Sequence, residues 1–331
     1  MKNKRILSGM RPSGKLHLGH LAGALKNWIK FQEEAECFYM VADWHALTTE
    51  YQNTKGIKDN IRDMVADWIS AGIDPNKSVI FVQSQISEHA ELHLILSMLI
   101  SVARLERVPS YKEIRQELSN KDLSTYGFLG YPVLQAGDIL LYKTNFVPVG
   151  EDQMPHIELT RELVKKFNSL YKDVFILPKG ILTEIPRLPG VDGRKMSKSY
   201  NNSIYLSDNE DVVSKKVMSM ITDPRRIKRY DPGHPDVCIV YAFHKIYSVH
   251  PNGIKELDKI TENCMSAKVG CTDCKRDLTQ KLIKVLKPIN EKRKEILEQK
   301  DLVDMVLENG NAKAKETAKK TLAEVKEAIG F

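Results

Sequence analysis

The chain has 331 residues, 42% of them hydrophobic and 28% charged, with a formal net charge of +7. This length and composition are typical of a globular protein with a full core and two domains. No apolar run approaches the ~20 residues that a membrane span needs, and residues 1–5 lead into a strand-like run rather than a signal-peptide core. We therefore expect a cytoplasmic protein, and the modest charge excess is weak evidence for a nucleic acid partner.

The stretch from Leu7 to Leu25 predicts a strand, a glycine-containing loop and the start of an amphipathic helix. The helix start carries the sequence HxGH, with His17 and His20 one turn apart. Unpaired N–H groups at a helix N-terminus attract phosphate oxygens, and two imidazoles add hydrogen bonds as charge builds on phosphorus. Gly19 leaves room for a ligand ring on bare backbone. Taken alone, the stretch fits a solvated surface loop equally well.

Alternating strands and helices follow along the first half of the chain. Apolar runs predict strands at Cys37–Ala42, Val79–Val82 and Phe146–Val149, and helical periodicity predicts helices from Ile57 to Gly72 and from Ala90 to Val102. These lengths are typical of an α/β fold with a Rossmann-like, doubly wound parallel sheet. Such sheets bind ligands at the carboxyl ends of their strands.

A polar stripe is predicted on one helical face after residue 130. Tyr131, Gln135 and Asp138 stand at i, i+4 and i+7 of a helix that we expect to have Pro132 in its first turn. Polar groups at this spacing are typical of the anchors of a small-ligand pocket. A solvated helix face is the alternative.

A second loop follows the predicted strand at Phe146–Val149. It contains Gly150, Glu151, Asp152 and Gln153, and a helix follows with Pro155 in its first turn. Carboxylates at a helix N-terminus commonly cap it. They also bind a ribose or an ammonium group, and the spacing leaves both interpretations open.

A KMSKS sequence lies near residue 200, after a proline- and glycine-rich approach that suits a loop closing over a triphosphate. HxGH followed by KMSKS in this order resembles the class I aminoacyl-tRNA synthetases. The resemblance implies that the catalytic groups stabilise the pentavalent α-phosphate and the departing pyrophosphate by preorganised charge. These groups are His17, His20, Lys195 and Lys198.

The character of the chain changes after Tyr200. Apolar strand runs are absent from the remaining sequence, and Ser207 with Glu210 has the spacing of a capping box. We therefore predict a Rossmann-like catalytic domain at residues 1–203 and a mostly helical C-terminal domain at residues 204–331. The resemblance implies that the second domain binds the tRNA anticodon. The densest basic cluster in the second domain is an RNA-facing surface or a solvated face; it comprises Lys215, Lys216, Arg225, Arg226, Lys228 and Arg229.

Longer segments bring the resemblance closer to one family. DWHALTT at 43–49, YPVLQAGDILLY at 131–142, VGEDQMPHIELTREL at 149–163 and GRKMSKS at 193–199 resemble the bacterial tryptophanyl-tRNA synthetases. The likeness covers nearly the whole chain, and it implies that Asp138 accepts the indole N–H. The other tryptophan-binding positions that it implies are Tyr131, Gln135, His45, Val147, Val149 and Gln153.

The same resemblance implies a set of ATP-binding positions. They are Arg11, Pro12, Ser13, Gly19, His20, Gly150, Glu151, Asp152, Leu188, Lys195, Met196, Ser197, Lys198 and Ser199. The chain departs from the family at three positions, since many members carry Gln at 11, Asn at 20 and Met at 135. His20 completes the HxGH signature.

Gln135 keeps a tyrosyl-tRNA synthetase open as an alternative, because Tyr-x-x-x-Gln-x-x-Asp also resembles the tyrosine pocket. The motifs RPSG at 11–14 and GEDQ at 150–153 favour a tryptophanyl-tRNA synthetase over a tyrosyl-tRNA synthetase. Two other classes remain. One is an HxGH nucleotidyltransferase that needs no tRNA, and the other is a redox-responsive RNA-binding protein without catalysis.

Four of the five cysteines fall in the second domain with the spacing C-x25-C-x6-C-x2-C: Cys238, Cys264, Cys271 and Cys274. Disulfides are improbable in the cytosol. Zinc sites built from four cysteines usually show two CxxC pairs, whereas irregular spacing with one CxxC can serve an iron–sulfur cluster, so a metal site and buried thiols both remain open. A subset of tryptophanyl-tRNA synthetases has a similar C-x22-C-x6-C-x2-C run, which implies a [4Fe-4S] cluster here.

The resemblance as a whole implies a tryptophan–tRNA ligase. Such an enzyme forms tryptophanyl-adenylate from L-tryptophan and Mg2+-bound ATP, releases pyrophosphate, and transfers tryptophan to the 3′ end of tRNA(Trp). The family usually works as a homodimer, so we expect a second copy of the chain as a partner.

Overall fold

The computed structural model describes residues 4–109, 111, 122–182, 188–194, 196, 200–248 and 253–331. Its central feature is a five-stranded sheet of order β3-β2-β1-β4-β5 in which all four neighbouring strand pairs are parallel. The strands are β1 (Arg5–Met10), β2 (Glu36–Val41), β3 (Ser78–Val82), β4 (Phe146–Val149) and β5 (Lys179–Leu182). The predicted Rossmann-like α/β class is confirmed.

Helices follow the strands as the parallel connections require. Helix α1 begins at Leu18–His20, passes through a π-helical turn at Leu21–Leu25 and continues over Lys26–Phe31. The others in the first half are α2 (Asp43–Glu50), α3 (Ile57–Ala71), α4 (Glu88–Ser97), α5 (Val102–Leu105), α6 (Tyr126–Leu141) and α7 (Met154–Leu170). The later ones are α8 (Glu210–Ser219), α9 (Ile239–Tyr247), α10 (Gly253–Met265), α11 (Cys271–Glu298) and α12 (Leu302–Ile329).

The sheet order has a switch point between β1 and β4. From β1 the chain moves outward in one direction through β2 to β3, and it returns to the other side of β1 with β4. The loops that follow β1 and β4 diverge at such a point and leave a crevice at the carboxyl ends of the strands. Residues 11–14 and 150–153 follow these two strands, so the fold brings both predicted ligand loops to one end of the sheet.

Helix α3 ends where the sequence predicts. Gly72 has φ +119°, and its N–H bonds the Ile69 carbonyl. This left-handed conformation suits glycine, which has no Cβ to clash. Helix α4 is shorter than predicted, since it ends at Ser97, and the Ser101 hydroxyl then caps the separate helix α5. Side-chain capping here overrides the continuous apolar pattern.

Helix α6 begins five residues earlier than the expected start at Tyr131. Thr125 is its N-cap, and the Thr125 hydroxyl accepts from the Phe128 N–H. The prediction that Pro132 lies in the first turn is therefore wrong, because Pro132 lies inside the helix. The spacing of the polar stripe is unaffected, since the segment from 131 to 138 is helical throughout.

The N-cap of α8 also differs from the prediction. Asn209, not Ser207, accepts from the Val212 N–H, and the helix starts at Glu210. Asn and Ser are nearly equal as caps. The carboxylates at 210 and 211 then fall in the first turn, where the helix dipole favours negative charge.

The chain divides into two compact units. Unit 1 is Met1–Gly14, Asn27–Glu184 and Lys300–Phe331, and unit 2 is Lys15–Lys26 and Ile185–Gln299. The predicted boundary at 203/204 differs from this division for residues 15–26, for 185–203 and for the last 32 residues. No helix of the described residues is long and apolar enough to cross a membrane.

Helix α12 belongs to unit 1 because it packs against the edge strand β3. A Cβ at Gly310 would lie 1.7 Å from the Ile80 carbonyl oxygen, so only glycine permits this approach. Beside it, the Asn311 Oδ1 accepts from the Val82 N–H at 2.8 Å. The helix thus covers a sheet edge that would otherwise be open to pairing. An amphipathic sequence pattern predicts a helix, but it does not predict which unit that helix packs against.

Candidate active site

Unit 1 contains a cluster of polar side chains around Asp138, called here the Asp138 centre. Asp138 is buried, with 1% of its surface exposed. Its Oδ1 lies 2.8 Å from the Gln83 Nε2 and 2.6 Å from the His89 Nδ1, and its Oδ2 lies 2.7 Å from the His45 Nε2. Gln83 directly follows β3, His45 lies on α2 just after β2, and His89 lies on α4. The fold therefore gathers three donors around one carboxylate at the carboxyl ends of the strands.

These bonds decide the protonation state of Asp138. Burial raises the pKa of the carboxyl group, but hydrogen bonds from His45 and His89 outweigh burial and hold the pKa far below its usual range. The carboxylate is thus ionised and accepts hydrogen bonds only. An ionised acceptor in a buried setting can bind one N–H or O–H donor of an aromatic ligand.

Unit 1 also contains the apolar and aromatic residues that the sequence predicts for the same pocket. Val147 and Val149 of β4 are buried, and Tyr131 of α6 is 9% exposed. The Tyr131 hydroxyl lies 3.3 Å from the Nε2 of His156, a fully buried residue of α7. Burial lowers the pKa of His156 to about 4, so its imidazole is neutral at pH 7. Gln135 is half-buried on α6.

The loops at the switch point carry the predicted ATP-binding residues of unit 1. Arg11 and Ser13 are exposed after β1, with Pro12 buried between them. After β4, Gly150 precedes a 3-10 turn at Glu151–Gln153. Both carboxylates of the turn, at 151 and 152, are exposed, and the Gln153 Nε2 donates to the Asp152 Oδ2 at 2.8 Å. Exposed polar groups at a switch point suit a polar ligand.

The HxGH histidines in unit 2 are held by local bonds. The His17 Nδ1 accepts from the Gly19 N–H at 3.1 Å, and the His20 Nδ1 accepts from the His17 N–H at 3.1 Å. A neutral imidazole whose Nδ1 accepts carries its proton on Nε2. Both rings therefore present an Nε2–H donor, which is the group that a developing phosphate charge needs.

The structure explains why position 19 is a glycine, and the explanation differs from the one that the sequence suggests. A Cβ there would lie 3.0 Å from the Cε1 and Nδ1 of His17. The missing side chain makes room for the capping imidazole, whereas the sequence predicts room for a ligand ring. The same Cβ position lies 3.9 Å from the Sδ of Met196, so the KMSKS methionine lies close to HxGH within unit 2.

The remaining KMSKS positions, Lys195, Ser197, Lys198 and Ser199, lie outside the described residues. Leu188 is described and is buried in unit 2, as is Met196. The isolated bridge between His17 and Tyr205 and the bond from the Tyr247 hydroxyl to the Leu18 carbonyl also hold the HxGH start within this unit.

Sequence reasoning missed three members of the Asp138 centre, which are Gln83, His89 and Tyr142. Gln83 could have been identified from the sequence, because it directly follows a predicted strand, where ligand-binding side chains are expected. His45 lies in a similar position, a few residues after a predicted strand. His89 carries no such signal, since one histidine beside a predicted helix is ordinary. Tyr142 sits at the C-cap of α6 and is fully buried.

The basic cluster of unit 2 is only partly a surface. The Lys216 Nζ donates to Asp208 at 2.6 Å and to the Ser203 carbonyl at 2.8 Å, which gives it a structural role. Arg226 is half-buried and donates to the Arg229 carbonyl. The positions that remain exposed are Lys215, Arg225, Lys228 and Arg229.

The four cysteines of unit 2 influence one another. Burial raises the pKa of Cys274 to about 12, and the charges of the other three thiols add to this rise. Burial also raises the pKa of Cys238, although the N–H groups of Val240 and Tyr241 oppose it. The Arg226 Nη1 lies 4.0 Å from the Cys271 sulfur. Within the described ranges, however, no three His, Cys, Asp or Glu side chains are already arranged to hold a metal ion.

A doubly wound parallel sheet with an HxGH helix start and a KMSKS segment is the combination found in class I aminoacyl-tRNA synthetases. The family model described as "tRNA synthetases class I (W and Y)" matches residues 1–287. The chain belongs to this family of class I tRNA synthetases for tryptophan and tyrosine.

Relatives with assigned functions cover the whole chain. A tryptophan–tRNA ligase of Thermotoga maritima is 54% identical over 328 residues, which cover 99% of both chains. A tryptophan–tRNA ligase of Aquifex aeolicus is 42% identical, covering 99% of this chain and 100% of the relative.

Solved structures agree in fold. The Campylobacter jejuni tryptophanyl-tRNA synthetase complexed with ADP and tryptophan aligns with a TM-score of 0.87 at 34% identity, over 99% of this chain and 100% of that one. A tyrosyl-tRNA synthetase of Archaeoglobus fulgidus aligns with a TM-score of 0.68 at 21% identity, over 88% of this chain and 90% of that one. The second likeness concerns the fold alone.

Proposed function

We propose that the chain is a tryptophan–tRNA ligase that activates L-tryptophan with ATP and transfers it to tRNA(Trp). The structural observation that carries this function is the buried, ionised Asp138 with its three donors, two of them on Oδ1. Among the described residues, Oδ2 has a hydrogen bond to the His45 Nε2, and a carboxylate oxygen can accept a second one, here from an indole N–H. The full-length similarity to tryptophan–tRNA ligases supports the same amino acid.

Activation is an in-line displacement at phosphorus. A carboxylate oxygen of tryptophan forms a bond to the α-phosphorus of ATP, the bond to the bridging oxygen breaks, and pyrophosphate leaves with that electron pair. The Nε2–H groups of His17 and His20 donate to oxygens on which charge develops. Mg2+ enters with ATP and neutralises triphosphate charge.

Transfer follows on the adenylate. A terminal ribose hydroxyl of the tRNA attacks the acyl carbon, AMP leaves, and the hydroxyl proton is lost to the departing phosphate or to water. No residue of the protein is acylated in this scheme. The protein supplies position and charge, which is the usual division of labour in phosphoryl and acyl transfer.

The ATP-binding residues in this proposal come from the switch-point loops and from the HxGH and KMSKS segments. They are Arg11, Pro12, Ser13, Gly19, His20, Gly150, Glu151, Asp152, Leu188, Lys195, Met196, Ser197, Lys198 and Ser199. Their support is the exposure of the polar groups after β1 and β4 and the orientation of the HxGH imidazoles.

The tryptophan pocket in this proposal is built on Asp138. Its other members are Tyr131, Gln135, His45, Val147, Val149 and Gln153. Pyrophosphate exchange into ATP, measured separately with each amino acid, tests the assignment. We expect a signal that depends on tryptophan. A signal with tyrosine and none with tryptophan would favour the tyrosyl alternative.

The tRNA partner separates a synthetase from an HxGH nucleotidyltransferase. Exposed Lys215, Arg225, Lys228 and Arg229 in unit 2 support contact with the phosphate backbone. We expect charging of tRNA(Trp) with radioactive tryptophan, and binding that weakens steeply as salt rises. Exchange activity without any charging or tRNA binding would identify the nucleotidyltransferase. Tryptophan-dependent exchange or charging of tRNA would exclude a non-catalytic RNA-binding protein.

We also propose that Cys238, Cys264, Cys271 and Cys274 hold a [4Fe-4S] cluster, with Zn2+ as the alternative. Three observations support the fit. In addition to burial, the charges of the other three thiols raise the pKa of Cys274. Backbone hydrogen bonds from Tyr241, Val240 and Asp223 lower the pKa of Cys238 against the effect of burial, and Arg226 lies beside Cys271. N–H groups and positive charge stabilise cluster-bound thiolates.

Anaerobic purification followed by metal and sulfide analysis tests the cysteine proposal. We expect four iron atoms and four sulfides per chain, with a broad visible absorption that bleaches under dithionite. Stoichiometric zinc without that absorption would replace the cluster with zinc. Neither metal in anaerobically prepared protein would leave four free thiols.

An exposed apolar surface supports the homodimer that the family resemblance implies. Leu94 and Met98 on α4, Val102 at the start of α5 and Tyr126 at the start of α6 are 56%, 73%, 58% and 63% exposed. Exposed apolar side chains grouped in this way are typical of interfaces. Light scattering should give about twice the chain mass of 37.7 kDa, and Met98→Lys should shift the population to monomer. A monomeric wild-type chain would refute the proposal.

A further inference from the structure

His89 is an unusual member of the Asp138 centre. It is fully buried, it belongs to neither HxGH nor KMSKS, and both of its ring nitrogens are engaged. Its Nδ1 lies 2.6 Å from the Asp138 Oδ1, and its Nε2 lies 2.7 Å from the Tyr142 hydroxyl. A histidine that only filled space would not need two aligned polar partners.

The partners determine which nitrogen of His89 carries the proton. Ionised Asp138 only accepts, so the His89 Nδ1 must donate. In a neutral ring the Nε2 then accepts, and the donor is the Tyr142 hydroxyl. Burial raises the pKa of Tyr142, which keeps that hydroxyl protonated. The hydrogen bonds from Tyr142 through His89 to Asp138 therefore all run in one direction.

This arrangement fixes one oxygen of the carboxylate. Oδ1 accepts from both Gln83 and His89, at 2.8 Å and 2.6 Å, so rotation of the carboxylate would break two bonds at once. Oδ2 is thereby held in a constant position. A ligand N–H that binds Oδ2 meets an acceptor whose direction is set before binding, which lowers the entropic cost of binding.

We propose that His89 is a positioning residue for the amino acid substrate, acting through Asp138 and itself oriented by Tyr142. The proposal rests on the tryptophan-activating function proposed above. It assigns to His89 the retention of an ionised, non-rotating acceptor for the indole N–H. His89 does not touch the reacting atoms, and its effect falls on tryptophan binding rather than on phosphoryl transfer.

Several charged or titratable groups face this centre from the elements around it. His45 is on α2, Glu88 and His93 are on α4, and Tyr142 follows α6. The charge of Asp138 favours protonation of His93, but burial lowers its pKa further than this charge raises it. Loss of the His89 bond leaves His45 as the one histidine bonded to Asp138, so the pKa of the carboxyl group rises toward its ordinary range.

Three variants separate positioning from mere packing. His89→Leu fills the space without a donor, His89→Asn keeps a donor near the Nδ1 position, and Tyr142→Phe removes only the hydroxyl that orients the ring. Tyr39→Phe is the matched control, because Tyr39 is also fully buried in unit 1 and its hydroxyl bonds the Trp28 carbonyl. Each variant is assayed by pyrophosphate exchange with varied tryptophan and varied ATP, from pH 5.5 to 8.5.

For His89→Leu we expect the KM for tryptophan to rise about 30-fold, the effect of losing a charge-assisted bond. The KM for ATP should change less than threefold. Because the pKa of Asp138 rises only toward its ordinary range, the carboxylate should stay ionised over the assayed pH range. His89→Asn should recover most of the affinity, Tyr142→Phe should raise the KM about threefold, and Tyr39→Phe should not change it.

An unchanged tryptophan KM in His89→Leu, or equal losses in His89→Leu and His89→Asn, would overturn the proposal. If His89→Leu does not fold, the rise in KM for Tyr142→Phe against none for Tyr39→Phe decides the question. The wild-type protein separates this inference from the function on which it rests. Absence of tryptophan-dependent exchange in the wild type would refute the function, whereas wild-type exchange with unaffected variants would refute only the role of His89.

Discussion

The two chemically important centres of the molecule are built in opposite ways. Asp138 in unit 1 is held by side chains that stand 49 to 93 positions away in the sequence. The imidazoles of His17 and His20 in unit 2 are held by backbone groups two or three positions away. The first centre is a product of the whole sheet, and the second is a property of one helix start.

The difference matches what each centre must do. A buried carboxylate stays ionised only if several donors compensate for the loss of water, and such donors come from separate elements. A phosphate site needs donors that point outward toward a large, charged ligand, and a helix N-terminus offers them locally. We therefore expect substitutions at Asp138 to affect folding and amino acid binding together, and substitutions at HxGH to affect the reaction rate without changing tryptophan binding.

The largest effect should come from Asp138→Asn. The amide has nearly the same shape, but it carries no charge and directs two N–H donors toward other donors, namely His45, His89 or Gln83. We expect kcat/KM for tryptophan to fall about 1000-fold, or about 4 kcal/mol, with a lower free energy of unfolding. Pyrophosphate exchange and urea unfolding measure the two effects.

A matched control for this variant is Asp67→Asn on α3. Asp67 is also 1% exposed in unit 1, and it is not one of the residues proposed to bind tryptophan. It should lower stability without changing the tryptophan KM. Equal kinetics for the two variants would remove Asp138 from the site.

The next effect is expected at His20. His20→Ala removes the Nε2–H donor together with the acceptor for the His17 N–H, and we expect kcat for adenylate formation to fall about 100-fold. Tryptophan affinity, measured by equilibrium dialysis, should remain within threefold of wild type. His20→Asn keeps an amide that can accept from His17 and donate, so it should retain about tenfold more activity than the alanine variant. A loss of tryptophan affinity equal to the loss of rate would contradict the separation of the two centres.

The same contrast explains how much could be predicted from the sequence. HxGH is contiguous, and four of the five strands stand at predicted apolar runs, so the histidine pair and most of the sheet were predictable. Strand β5 has no continuous apolar run and was not predicted. Gln83 and His89 meet Asp138 only after strands and helices have packed, and no local pattern announces that meeting. Position 132 illustrates a different limit, because proline marks a helix start by preference and tertiary packing placed it inside α6.

The C-terminal helix α12 shows another limit of prediction from sequence. The sequence predicts that this part of the chain is mostly helical, but only the close approach of Gly310 to Ile80 assigns α12 to the sheet. The domain roles of the second half, including the reading of the anticodon, remain predictions.

Acid should weaken unit 1 through His156 rather than through Asp138. The pKa of His156 is lowered to about 4 by burial, below the value of about 6.5 in the unfolded chain. Its stabilising effect is complete above pH 6.5 and is lost as the pH falls toward 4, because the unfolded chain binds the proton more readily. Asp138 behaves differently, since its lowered pKa keeps its contribution intact until the pH falls below about 4.

Urea unfolding at pH 7.5 and pH 5.0 checks this prediction. His156 alone should lower the free energy of unfolding by about 2 kcal/mol at the lower pH, and His93, whose pKa is also lowered by burial, should add to the loss. His156→Leu should remove its share of the pH dependence. Tyr39→Phe is the control, since it removes a buried hydroxyl of unit 1 and no histidine. The same slope in wild type and His156→Leu would show that this histidine does not carry the effect.

The smallest effect should come from Gly19→Ala, and it distinguishes two reasons for glycine in HxGH. If the residue makes room for the capping imidazole, a Cβ 3.0 Å from the His17 ring displaces that ring slightly and moves its Nε2–H. We then expect kcat to fall about tenfold with unchanged KM for ATP. If the residue instead makes room for a ligand ring, the KM for ATP rises and kcat at saturation stays near wild type. Steady-state exchange at varied ATP separates these outcomes, and a selective rise in the ATP KM would restore the interpretation drawn from the sequence alone.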